Sequence, residues 1–98
     1  MNNIEDLILA EKERAIKIYG KTFASAHEAE SVIREEVEEV KEELILLNHY
    51  LQEFWKGVRQ RSTEYQNLKI KGLRKHSCDA IEELIQVCAM CDKFTEGE

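Results

Sequence analysis

Apolar residues recur along this chain at alternating steps of three and four, the signature of α-helices with one buried face. The first such stretch, residues 4–19, places Ile4, Leu7, Ile8, Ala15, Ile16 and Tyr19 near one side. Glu11 interrupts that stripe, with Arg14 three residues on as an ion-pair partner. Gly20 is a natural stop, and Lys21 and Thr22 make a short connection. Ser25 and Glu28 have the Ser-x-x-Glu spacing of a capping box, which starts a second helix near residue 25. In that helix Ile33, Val37, Val40, Leu44, Leu47, Leu51, Phe54 and Val58 form a sustained heptad seam, widened by Ile45 and Trp55.

Residues 59–66, "RQRSTEYQ", read as a polar connection. A third helix is expected over residues 68–94, with Gly72 able to delay its start. Leu73, Ser77, Ala80, Leu84, Val87, Cys91 and Phe94 repeat the four-three spacing, while Ile81, Ile85 and Cys88 extend the face. The pattern therefore predicts an all-α, three-helix chain with two long helices, a single domain over residues 1–98. So much apolar seam on so short a chain predicts self-association, most economically a dimer with a four-helix core.

Composition narrows the picture. The 98 residues contain no proline, four glycines and 35% charged side chains, which favours long helices over strands and turns. A net charge of -6 argues against a nucleic-acid platform, which needs a basic stripe to neutralise phosphates. No apolar run approaches ~18 residues, so no membrane-spanning helix is expected. "MNNIEDLILAEKERA" has no basic leader before an apolar core, and three cysteines make an odd number. Both observations suit a reduced, cytoplasmic setting.

The candidate chemistry lies in "IREEVEEVKEEL", residues 33–44, with six glutamates in twelve positions. A helix turns about 100° per residue, so each glutamate's facing follows from its offset to the seam. Glu36 and Glu43 fall at one edge of the apolar stripe and Glu39 slightly outside it. Glu38 sits on the opposite flank, paired in spacing with Lys41, while Glu35 and Glu42 point away. On the third helix, Asp79, Glu83 and Gln86 share one flank, and Glu83 and Gln86 stand to Leu84 and Val87 as Glu36 and Glu39 stand to Val37 and Val40. Two helices each offering oxygen ligands at a core edge can build a hard-cation site, suited to magnesium or manganese rather than zinc.

Glu35-Glu36-x-x-Glu39 together with "EELIQV" resembles the paired motifs of the MazG-like, all-α nucleotide pyrophosphohydrolases. The segment "AIEELIQVCAM" looks like a phage-associated branch of that family. The likeness covers the two long helices, from about residue 27 to residue 94. It implies a helical bundle, dimeric or a dimer of dimers. It further implies Mg²⁺-dependent hydrolysis of a nucleoside triphosphate to the monophosphate and pyrophosphate, with Mn²⁺ as an alternative ion. Carried over by position, Glu36, Glu39 and Glu83 are metal ligands and Glu35 helps to orient water. Gln86 stands where the family pattern has an aspartate, offering a neutral carbonyl oxygen in its place. Asp79, two turns earlier on that flank, is the candidate to compensate. A non-catalytic helical interaction module is the competing reading.

The remaining features read as structural. Cys88 and Cys91 have a CxxC spacing with no second ligand pair for zinc, and are expected on the apolar side of their helix. Phe54 and Trp55 are expected in the core or an interface. His76 and the basic residues Lys69, Lys71, Arg74 and Lys75 are the groups placed to meet a phosphate, if one binds.

Overall fold

The computed structural model describes residues 3–97, which form three helices and, among the described residues, no strand. These are α1 (Ile4–Tyr19), α2 (Ala26–Arg59) and α3 (Thr63–Glu96). Each boundary has a local cause. Asn3 caps α1, its side chain accepting from the Asp6 N–H at 3.0 Å while the Asp6 carboxylate accepts from the Asn3 N–H. Gly20 ends it at φ 94°, a conformation glycine adopts without a Cβ clash, and donates its N–H to Ile16 O at 2.8 Å. Ser25 Oγ then accepts from the Glu28 N–H at 3.1 Å, and the Glu28 carboxylate reaches back to the Ala24 N–H. Ser25 thus caps the helix, but the return bond goes to Ala24 rather than to the Ser25 N–H, so the expected capping box is only half formed.

The connection between the long helices is shorter than the polar run suggests. It spans residues 60–62, with Arg61 at φ 55°, and α3 starts five residues before the expected Leu68. Ser62 is the reason: its Oγ accepts from the Tyr65 N–H at 3.2 Å and caps the new helix. The Gln66 side chain also donates to Gly57 O at 3.2 Å. Gly72 does not delay the helix; it lies inside α3.

The chain divides into two compact units. The first comprises α1, α2 up to Glu38 and α3 from Glu82 onward. Its core is Ile8, Ala15, Ala89 and Met90, with Phe23, Val32, Ile33 and Ile85 packed against it. Burying Ile8 and Met90 contributes about 1.5–3 kcal/mol each. Ala89 has no exposed surface, so the helices that meet there approach over a single methyl group. Lys93 is also buried, with its ammonium 4.3 Å from the centre of the Phe23 ring.

The buried stripe of α3 in this unit therefore runs through Ala89, Met90 and Lys93. It is displaced by about one residue, roughly 100° of helix, from the seam of Leu84, Val87, Cys91 and Phe94. Leu84 is exposed, and Cys88 and Cys91 are both exposed free thiols. The expectation that these cysteines face the core is corrected accordingly. α1 occupies the flank presenting Ala89 and Met90, and leaves the cysteines outside.

The second unit, Glu39–Ile81, is a helical hairpin made of the rest of α2 and α3. Its contacts run antiparallel, with Glu53 accepting from the Tyr65 hydroxyl and Tyr50 lying against Gly72 and His76. Val40, Gly57 and Ala80 are buried, while Leu47 and Phe54 are half-buried. Alternate seam residues Leu44, Leu51 and Val58 remain exposed, as do Ile45 and Trp55. No helix among the described residues is long and apolar enough to cross a membrane.

Candidate metal centre

The glutamate-rich turn of α2 separates by helical phase. Glu35, Glu38 and Glu42 are exposed, whereas Glu36, Glu39 and Glu43 are half-buried. Glu36 faces Glu83 of α3 within the first unit, and one carboxylate oxygen of each, Oε2, is buried. Glu39 follows Glu36 by a single turn of the same helix. The spacing of three puts it on the same side of that helix as Glu36. One ligand oxygen of Glu36 lies within 4.8 Å of one of Glu83.

Two carboxylates this close repel each other unless a cation, a shared proton or hydrogen bonds offset their charge. A divalent ion with metal–oxygen distances of about 2.0–2.2 Å fits such a set, because its ligands stand a few ångströms apart. The oxygen-only chemistry favours a hard cation.

The other residues expected at this site are placed differently. Glu35 is exposed and points away from the trio. Asp79 is grouped instead with Glu43 and His76, and forms an ion pair with Lys75 at 2.7 Å. Gln86 lines a surface depression of the first unit together with Leu7, Ala10, Glu11, Arg14 and Ile85.

Arg14 is a candidate that sequence reasoning passed over. It makes two hydrogen bonds to the Glu11 carboxylate, at 2.5 and 3.0 Å, as its spacing predicts. That hydrogen bonding holds its guanidinium above its usual pKa, and the nearby charge of Glu36 adds to the effect. No sequence signal links Arg14 to Glu36, because the helix pairing that brings them together is tertiary.

Of the basic residues that would meet a phosphate if one bound, Lys69 lies over the rings of Tyr50 and Tyr65, at 5.6 and 5.1 Å from their centres. Lys75 is held by Asp79, and that hydrogen bond raises its pKa. Lys71 and Arg74 are exposed.

The fold is all-α, and within its first unit Glu36 of α2 and Glu83 of α3 face each other. The chain matches no family model, no curated protein and no solved structure.

Proposed function

We propose that the protein is a Mg²⁺-dependent nucleoside triphosphate pyrophosphohydrolase, with Glu36, Glu39 and Glu83 as the metal ligands. One observation carries the reading: Glu36 and Glu83, both named by the MazG-like resemblance, bring their ligand oxygens within 4.8 Å of each other, and Glu39 follows Glu36 by one helical turn. The ion would neutralise the triphosphate and lower the pKa of the attacking water. The reaction needs little else from the protein beyond positioning and charge. Arg14 lines the depression beside Gln86 and would have to release the Glu11 carboxylate to donate to a phosphate oxygen. Manganese would occupy the same oxygen set. Gln86 supplies at most a neutral oxygen, so the ion is held by fewer charges than the family pattern provides.

A second reading has its own support. In the second unit the seam residues Leu44, Leu51 and Val58 are exposed beside Trp55, an apolar stripe that a second copy would cover. Self-association through this seam is compatible with an enzyme, and equally with a helical assembly module that has lost catalysis.

Thermal unfolding in the presence of Mg²⁺ and nucleotides separates the two. A ligand that binds only the folded state stabilises it by about 2.7 kcal/mol at a hundred times its Kd. The enzyme reading predicts a Mg²⁺-dependent rise in Tm that is lost in Glu83→Gln. The assembly reading predicts a Tm that depends on protein concentration but not on ion or nucleotide.

A further inference from the structure

The second unit holds a separate constellation that the proposed hydrolase site does not use. Glu43 on α2 meets His76 and Asp79 on α3, and one ligand atom from each lies within 4.8 Å of the others. His76 Nδ1 is 2.7 Å from Glu43 Oε2 and 3.9 Å from Asp79 Oδ2. This group differs in kind from the all-carboxylate trio, because two carboxylates from two helices converge on one imidazole nitrogen. His76 and Asp79 are three apart on one helix, so both project to the same side, with the third group facing them from α2.

The imidazole is also held in place. It stacks on the Tyr50 ring, with centres 5.3 Å apart and planes 20° from parallel. The Tyr50 ring in turn fills the space a side chain at position 72 would need: a Cβ on Gly72 would lie 2.3 Å from Tyr50 Cε1. Gly72, Tyr50 and His76 thus form a stack that fixes which way Nδ1 points. Support of this kind, behind the ligand rather than at it, is what orients histidines in metal sites. His76 and Glu43 are largely shielded from solvent, with 15% and 22% of their side chains exposed.

We infer that Glu43, His76 and Asp79 form a binding site for a divalent transition-metal ion, with zinc the best-suited probe. One nitrogen and two oxygens make a borderline donor set, which favours such ions over magnesium or calcium. Pairing a histidine with a carboxylate three residues away is an established way for helical bundles to ligate metals. Three protein ligands leave at least one position for water. On binding, the Glu43–His76 hydrogen bond is exchanged for two bonds to the ion, and neutral His76 donates its Nδ1 lone pair. Lys75 releases Asp79 and returns to water, as its exposed position allows. All these groups lie in one compact unit, and the site stands or falls independently of the carboxylate trio.

The test is a Zn²⁺ titration of the whole chain, followed by NMR at the histidine rings. The expected result is one ion bound at His76, whose ring nitrogens shift in proportion while those of the exposed His27 do not move. His76→Gln and Asp79→Asn should each weaken binding by roughly tenfold or more. Glu83→Gln should leave it unchanged, and excess Mg²⁺ should not displace the ion. Absent binding, a His76 signal that ignores zinc, or binding lost in Glu83→Gln but kept in His76→Gln would overturn the assignment. The wild-type NMR readout decides the question even if a variant fails to fold.

Discussion

Replacing Gly72 with alanine tests the Tyr50 stack most sharply, because two effects of known size oppose each other. On helix propensity alone, alanine in the interior of α3 should stabilise the protein by about 1 kcal/mol. The new Cβ, however, would lie 2.3, 2.4 and 2.7 Å from three atoms of the Tyr50 ring. Ordinary carbon contacts are about 3.5–4.0 Å, so the ring has to retreat by more than an ångström. It has little room to do so, with His76 stacked on it and His49 against its edge. Overpacking of this kind typically costs about 1–3 kcal/mol. The net expectation for Gly72→Ala is a loss of up to about 2 kcal/mol. In a Tyr50→Ala background the clash disappears and the same substitution should gain about 1 kcal/mol. The coupling energy between the sites is then the clash itself, about 1–3 kcal/mol. Urea unfolding of the four proteins, followed by helical circular dichroism at one fixed protein concentration, measures it directly. If Gly72→Ala stabilises the wild-type background as much as the Tyr50→Ala background, the ring does not occupy that space and the account of Gly72 is wrong.

Three further outcomes are expected. Ser25→Ala removes the acceptor for the Glu28 N–H and should cost about 1 kcal/mol in unfolding free energy. Tyr65→Phe removes the hydrogen bond that, as the largest cause, holds the Glu53 carboxyl below its usual pKa. A depressed carboxyl stabilises the fold above its unfolded pKa and loses that contribution as pH falls through its folded value. The variant should therefore lose stability at neutral pH and converge with wild type in acid, and NMR titration should show the Glu53 pKa rising. Leu51→Lys places a charge in the exposed α2 seam, and sedimentation should show weaker self-association without loss of helix content.

Much of the fold is legible in the sequence, because the signals that set it are local. The bounds of α1 follow from an apolar period that ends at Gly20, and the start of α2 follows from Ser25 and Glu28. The division of the glutamates into exposed Glu35, Glu38 and Glu42 and half-buried Glu36, Glu39 and Glu43 needs only the turn per residue. What escapes is tertiary. Gly72 looks like a helix breaker until the Tyr50 ring is seen to occupy its Cβ space. The buried stripe of α3 is misplaced when large apolar residues define it, since Ala89 carries a weak apolar signal yet is the most buried residue of its unit. Asp79 shares a flank with Glu83 in helical projection, but pairing across to α2 delivers it to Glu43 and His76. Arg14 comes near Glu36 only through the packing of α1.

The central claim is that Glu36, Glu39 and Glu83 hold an ion that drives nucleotide hydrolysis. Pyrophosphate release from a panel of ribo- and deoxyribonucleoside triphosphates with Mg²⁺ or Mn²⁺ tests it most directly. The account predicts pyrophosphate and monophosphate in equal amounts from at least one nucleotide, falling to background in Glu36→Gln and Glu39→Gln. No turnover across the panel, or turnover that survives both substitutions, would contradict it.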